Sequence, residues 1–157
     1  MTDIKTLNGS TKVVDAGAIE ALDEALRGGV SHENSAGYDA ARTIWNAMVD
    51  RKPGLVAHAK GASDVQKIVN FAQDNNLMMS IRSGGHQIAG HAVVDGALLL
   101  DLSAMTSFSV DAAGKTRQTT RRHDHGENRR RSPVCRRAYQ SHYRVWTRQH
   151  RQRSILS

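Results

Sequence analysis

The sequence carries one short segment whose residue types suit the binding of an anion. A glycine-rich turn, Arg82-Ser83-Gly84-Gly85-His86, directly follows an apolar segment that is typical of a strand. Two adjacent glycines can adopt positive φ angles and carry no Cβ, so successive backbone N–H groups can converge on an anion. We therefore predict a phosphate cradle here, although neither G-x-G-x-x-G nor G-x-x-x-x-G-K-[ST] occurs in the sequence.

The side chains that flank the two glycines could add charge and chemistry to this turn. Arg82 could neutralise phosphate, or it could simply be a solvated residue at the end of a strand. A neutral imidazole at His86 could act as a nucleophile or a proton carrier, or it could bond to the backbone of its own loop. No carboxylate or cysteine lies at a zinc-like interval from His58 or His91, so no metal site is predicted.

The elements that must position this turn follow from hydrophobic periodicity. Residues 15–28 predict an amphipathic helix that is capped by Asp15, and residues 35–54 predict a loop with one helical turn. A capping box, Ser63-Asp64-Val65-Gln66, predicts a second helix. Strands are predicted at 55–59, 77–82 and 97–102, with a fourth from Phe108 to a turn at 111–114. The fold class is therefore α+β, with a strand-helix-strand unit that feeds the glycine turn.

Charge and apolar residues are distributed very unevenly along the 157 residues. The net charge is +7, but residues 115–157 hold 13 of the 22 lysines and arginines and only 2 of the 15 acidic residues. The same segment contains few aliphatic residues, so it cannot bury enough apolar surface to offset the entropy of ordering. We divide the chain into an N-terminal helix and linker at 1–37, a partial domain at 38–114, and a disordered basic tail at 115–157.

Residues 38–105 resemble a known family. Their strand with Val56, the Asp64-Val65 helix start, the IRSGGH turn, Asp95-Gly96 and the closing LDLSAM are similar to the N-terminal FAD-binding segment of the FAD-linked oxidases. These include the berberine-bridge-enzyme-like branch of the vanillyl-alcohol-oxidase and p-cresol-methylhydroxylase superfamily. The resemblance implies a p-cresol-methylhydroxylase-type FAD-binding domain of an oxidoreductase that acts on a small molecule.

The same resemblance implies roles for individual residues. In the family this turn holds the FAD pyrophosphate, and the histidine in the position of His86 commonly bonds to the flavin 8α-methyl carbon. The FAD contacts that it implies are Arg82, Ser83, Gly84, Gly85, His86, Gln87 and Gly90. No catalytic residue is assigned, because Asp101 is predicted to cap a strand end and Tyr38 to pack in the core.

The resemblance stops after the turn near Gly114, where the family continues with a strand and a glycine segment that this sequence lacks. Synonymous codons for the residues from Thr119 onward permit a neighbouring-frame reading that begins Gln-Pro-Gly-Gly-Met-Thr. We therefore hypothesise a frameshifted or truncated family member that is inactive alone. The alternative is a basic module whose arginines and aromatic residues bind nucleic acid. The first ten residues lack the apolar stretch of a signal peptide, so we expect a cytoplasmic protein without membrane contact.

Overall fold

The computed structural model describes residues 1–106, strand 108–111 and strand 116–119. These described residues form three helices: α1 (Ala16–Ala25), α2 (Tyr38–Arg42) and α3 (Ala62–Asp74). The strands are β1 (Thr2–Lys5), β2 (Thr11–Val14), β3 (Val30–Ser31), β4 (Leu55–His58), β5 (Met79–Arg82), β6 (Leu98–Asp101), β7 (Phe108–Asp111) and β8 (Thr116–Thr119). The predicted α+β class and the strand-helix-strand unit, β4-α3-β5, are confirmed.

A four-stranded sheet forms the centre of the unit that spans Met1–Met105. Its strand order is β3-β4-β6-β5, and β6 pairs in parallel with both of its neighbours. In this register Asp101, at the end of β6, lies opposite His58 on β4 and Arg82 on β5. Since the carboxyl ends of parallel strands meet at one edge of a sheet, three polar residues are brought together there.

Alternation along the central strands buries both faces of the sheet. On one face, Leu55 and Leu98 pack with residues of α1, α3 and the N-terminal strands. On the other face, Val56 and Leu99 pack with residues of α2 and the segment after it. Both strands are therefore almost continuously apolar, as expected for parallel strands that are covered on both sides. The charged and imidazole side chains of β4, β5 and β6 lie at the carboxyl edge, where each of these strands ends.

The helices differ in how their N-termini are capped: Asp15 caps α1 with its side chain, whereas α2 and α3 begin after glycines. The Asp15 carboxylate accepts a 2.9 Å hydrogen bond from Gly17 N, which confirms the predicted cap of α1. The capping box at Ser63 was wrong, because α3 already begins after Gly61 and Asp64 lies inside the first turn. Asp64 instead accepts a 2.9 Å bond from Lys60 N, just ahead of the helix. Among the described residues, no helix is long and apolar enough to span a membrane.

The N-terminal 37 residues contain more than the predicted helix and linker. Strands β1 and β2 pair as an antiparallel hairpin, and its Ile4 and Val14 side chains lie in the same core as α1 and α3. The hairpin joins the main sheet through a 2.7 Å bond from Met78 N to Lys5 O. The missed sequence signal is Asn8-Gly9, which is typical of a hairpin turn, and Gly9 has φ +84°.

The predicted fourth strand is confirmed as β7, and β8 pairs with it in antiparallel register. Strand β8 lies within the segment that was predicted to be disordered from Lys115 onward, so that prediction is corrected for residues 116–119. The bonds between two backbones do not require apolar side chains, which explains why composition did not predict this strand. The remainder of the basic tail lies outside the described residues.

Candidate functional site

The predicted turn leaves β5 at Arg82 and forms an open loop up to Gly90. Gly85 and Gly90 have φ angles of +67° and +74°, which belong to the left-handed region that favours glycine. Gly85 O accepts a 3.0 Å hydrogen bond from Trp45 N, and Gln87 O accepts a 3.3 Å bond from Gly90 N. Within the described part of the chain, the N–H groups of residues 83–87 donate to no acceptor. Five consecutive backbone donors are thus available for a ligand.

His86 is exposed and lies against the glycine two positions before it. A Cβ built on Gly84 would lie 2.6 Å from Cδ2 and 2.8 Å from Nε2 of the His86 ring. The absence of a side chain at Gly84 therefore provides the space that the imidazole occupies. The ring makes no hydrogen bond with any residue that the structure describes, so it is not the backbone-bonded loop histidine that the sequence left open.

The loop that follows α2 contacts the end of the glycine-rich turn that is nearest to Gly90. Asn46 Nδ2 donates a 2.8 Å hydrogen bond to Ile88 O. A Cβ on Gly90 would lie 2.6 Å from Cγ1 of Val49, so the two segments approach too closely for any other residue at that position. The exposed apolar side chains beside this contact are Trp45, Met48 and Ile88. The segment that the sequence predicted to be a loop with a helical turn therefore packs against the candidate site.

Arg82 lies beneath the turn and is not merely solvated. Its Nη1 donates to Ala41 O and forms a 3.6 Å ion pair with Oδ1 of Asp101. Its Nε and the hydroxyl of Ser83 are buried and have no hydrogen-bond partner among the described residues. Buried polar atoms are nearly always hydrogen-bonded, so these two unpaired groups match a ligand that offers oxygen acceptors.

Asp101 is the centre of a buried polar row at the carboxyl edge of the sheet. Its carboxylate accepts from Ser103 N at 3.0 Å, from Ser103 Oγ at 2.7 Å and from His58 Nδ1 at 3.2 Å. The other ring nitrogen of His58 lies 2.9 Å from Ser31 Oγ. Burial alone would raise the pKa of Asp101, but the bonds from His58 and Ser103 and the charge of Arg82 lower it below its usual value. Asp101 is therefore an ionised carboxylate at neutral pH.

The seven residues that the sequence singled out are Arg82, Ser83, Gly84, Gly85, His86, Gln87 and Gly90; Arg82 ends β5, and the other six lie in the loop that follows it. The structure adds Asp101 at the end of β6, which neighbours β5, and His58 at the end of β4 on the other side of β6, and these two residues contact each other. Asp101 was predicted to cap a strand end, and its bond from Ser103 N agrees with that interpretation. Tyr38 was predicted to pack, and it is buried with its hydroxyl donating to Pro53 O at 2.6 Å.

Comparison with known proteins places this loop within a matched family segment. Residues 53–119 match the family described as FAD binding domain. The chain is 41% identical over 90 residues to (R)-6-hydroxynicotine oxidase of Paenarthrobacter nicotinovorans, a match that covers 57% of this chain and 20% of that protein. The crystal structure of 6-hydroxy-D-nicotine oxidase from Arthrobacter nicotinovorans superposes with a TM-score of 0.54, with the same identity and coverage.

A second solved structure shows the same fold at lower identity. A BBE-like protein of Physcomitrella patens superposes with a TM-score of 0.56 at 22% identity and covers 63% of this chain and 22% of its own. The matched part of the chain therefore has the fold of an FAD-binding domain of the vanillyl-alcohol-oxidase and p-cresol-methylhydroxylase type. Through the FAD binding domain matched at residues 53–119, the chain is similar to FAD-linked oxidoreductases, and it spans about a fifth of the length of the relatives it matches.

Proposed function

We propose that the loop from Arg82 to Gly90 binds FAD, and that the protein is part of an oxidoreductase that oxidises a small molecule. The observation that carries this proposal is the set of unused donors in one loop. Five backbone N–H groups, the Ser83 hydroxyl and the Nε of Arg82 have no acceptor among the described residues. The pyrophosphate of FAD offers several anionic oxygens, and such donors are what an anion needs.

Each residue of the loop then has a defined role. Arg82 supplies positive charge from below, and the Ser83 hydroxyl and the backbone N–H groups donate to phosphate oxygens. Gly84 and Gly85 keep Cβ atoms away from the ligand, and Gly90 permits the close contact with Val49 that holds the loop in place. When bound, FAD would accept a hydride from the substrate, and the chain's own residues bind and orient it.

We further propose that His86 attaches the flavin covalently, as the family resemblance implies. The exposed ring follows the pyrophosphate loop directly and has no competing hydrogen bond among the described residues. In such an attachment His86 would lose its ring proton and bond to the 8α-methyl carbon, which also loses a proton. The two electrons released would pass to dioxygen, so the reaction needs no other oxidant.

The relatives suggest the class of reaction for the whole protein. One is named as an oxidase of 6-hydroxynicotine, which is a small heterocyclic amine. We propose an oxidation of the same general kind, in which a small organic substrate gives up a hydride. The identity of that substrate would be set by parts of the relatives that this chain does not match.

Acid denaturation tests both proposals. The chain is expressed, incubated with FAD, precipitated with acid and separated by size, and flavin fluorescence on the protein band is measured. We expect fluorescence on the wild-type chain and none on His86→Ala. His91→Ala is the matched control, because His91 is also exposed and lies only five residues further on. Covalent flavin on His86→Ala would overturn the attachment, and a wild-type chain that binds no FAD before denaturation would overturn the binding proposal.

A further inference from the structure

One buried carboxylate connects the three chain segments that leave the carboxyl edge of the sheet. Asp101 is 3% exposed, and its two oxygens contact donors at the end of β4, at the end of β5 and just after β6. Those donors are His58 Nδ1, Arg82 Nη1 and the backbone and hydroxyl of Ser103. A single side chain therefore fixes the direction in which three loops depart.

The contact between Asp101 and Arg82 orients the guanidinium of the residue from which the glycine-rich loop departs. The Arg82 guanidinium is held on one side by Ala41 O and on the other by Asp101. Its unpaired Nε lies 3.6 Å from the place where a Cβ on Gly85 would be, so this donor lies beside one of the two glycines of the turn. A guanidinium is a rigid planar fork, and the direction of its remaining donors is set by the two that are already engaged.

His58 holds the carboxylate in the orientation that this arrangement needs. An imidazole with its proton on Nδ1 donates to Asp101 and accepts at Nε2 from the Ser31 hydroxyl, which satisfies both observed contacts. Asp101 therefore cannot rotate away from Arg82 without losing bonds to His58 and Ser103. The direction of the Arg82 donors is thus determined by a network anchored on all four strands of the sheet.

We propose that Asp101 is a positioning residue, which touches no ligand itself but orients Arg82 so that the loop binds the pyrophosphate of FAD. This inference rests on the proposed function. Electrostatics and positioning predict opposite changes in the affinity for an anion when Asp101 is replaced. Because Asp101 is negatively charged, its neutralisation should by electrostatics alone strengthen the binding of an anion. Positioning predicts the opposite, namely weaker binding when the carboxylate is removed.

The test compares Asp101→Asn with a matched control in the full 157-residue chain. Asp64 is the control because it is likewise buried and paired with an arginine, Arg27, at 3.2 Å, but its side chain bonds to Arg27 and Lys60 and to no residue of the loop. Dissociation constants are measured for ADP, which carries a pyrophosphate, and for riboflavin, which carries no phosphate. We expect Asp101→Asn to weaken ADP binding by about tenfold, the effect of one misplaced charged hydrogen bond, and to leave riboflavin binding unchanged.

The control variant and the second ligand distinguish a positioning role of Asp101 from general damage to the fold. Asp64→Asn should have a lower melting temperature than the wild type yet bind ADP with wild-type affinity. Equal or tighter ADP binding by Asp101→Asn would overturn the inference, and so would an equal loss for riboflavin, which indicates general damage. A wild-type chain that binds neither ADP nor FAD would instead overturn the proposed function.

A milder variant keeps the inference open to test if Asp101→Asn does not fold. Ser103→Ala removes the 2.7 Å bond to Oδ2 and leaves the charge of Asp101 in place. Since the carboxylate is then held less firmly, we expect ADP binding to weaken by about two- to threefold and riboflavin binding to stay unchanged. Wild-type affinity for ADP in this variant, together with an unfolded Asp101→Asn chain, would overturn the inference.

Discussion

Alanine substitutions at two neighbouring glycines, Gly84 and Gly85, should affect different properties: covalent flavin attachment at Gly84 and stability at Gly85. Gly84 has no positive φ, but its Cβ would lie 2.6 Å from the His86 ring. Because that ring is exposed and can rotate away, Gly84→Ala should change the free energy of unfolding by less than about 0.5 kcal/mol. The displaced ring would nevertheless lie elsewhere, so the fraction of chains with covalent flavin should fall.

Gly85→Ala should instead act on stability. A Cβ at Gly85 meets its neighbours at 3.5 Å or more, which is ordinary contact, but the φ of +67° is strained for alanine. The left-handed conformation costs about 1–2 kcal/mol for a residue with a Cβ. For a unit of this size, each kcal/mol lowers the melting temperature by about 4–8 °C. The two substitutions thus separate the space needed by His86 from the backbone conformation of the loop.

The assay measures the melting temperature and the covalent flavin of the same preparations. Thermal unfolding is followed by circular dichroism without FAD, so that ligand binding does not contribute to stability. Covalent flavin is measured after acid precipitation, with Gly37→Ala as a backbone control, because Gly37 has φ +87° and no atom within 4 Å of its Cβ position. Wild-type flavin loading of Gly84→Ala would refute the argument about the His86 ring. An unchanged melting temperature of Gly85→Ala would refute the argument about backbone strain.

Three further predictions concern the core, acid stability and the gene. Leu99 is fully buried on the central strand, so Leu99→Ala should cost about 2–5 kcal/mol in urea unfolding, with no loss at an exposed residue such as Ile88→Ala. The hydrogen bonds and ion pairs of Asp64 and Asp101 lower the pKa values of both carboxyls below the ordinary value of 3.8, despite burial. The two ionised carboxylates therefore stabilise the folded state above pH 3.8, and this contribution is lost as the pH falls through their folded-state pKa values. Thermal melts between pH 2 and 7 should show this loss, and replacing both residues by asparagine should reduce it. Sequencing the gene downstream of Gln118 should reveal a family-like glycine segment in the neighbouring frame, and its absence there would remove the frameshift hypothesis.

Much of the fold was predictable because short periodic patterns are local. Strand β4, helix α3 and strand β5 follow from local sequence patterns, and their observed bounds differ from the predicted ones by few residues. The N-terminal hairpin was missed because β1 and β2 are only four residues each, and few apolar residues mark them. Its stability comes from burying Ile4 and Val14 against helices that are distant in sequence, which no local pattern records.

In the candidate site, too, the local features were predictable from the sequence and the long-range contacts were not. The glycine turn was visible because its conformational demands are local and its motif resembles that of a family. The contact of His58 with Asp101 was invisible, since the two residues are 43 positions apart. Their meeting depends on the order of strands in the sheet, and periodicity predicts strands without predicting their order. The apolar runs that end in His58 and Asp101 would have suggested the pair only if β4 and β6 were known to be neighbours.

The strand order itself explains why one carboxylate can control the whole carboxyl edge. Neighbouring strands lie about 4.8 Å apart, so a residue on the middle strand is one spacing from residues on either side. Had β6 added to the outside of β5, the backbones of Asp101 and His58 would lie about 9.6 Å apart with β5 between them, and the two residues would not be cross-strand neighbours. Because β6 inserts between β4 and β5, Asp101 reaches both His58 and Arg82. The residue from which the turn departs, Arg82, is therefore held by a strand that follows the turn in the sequence.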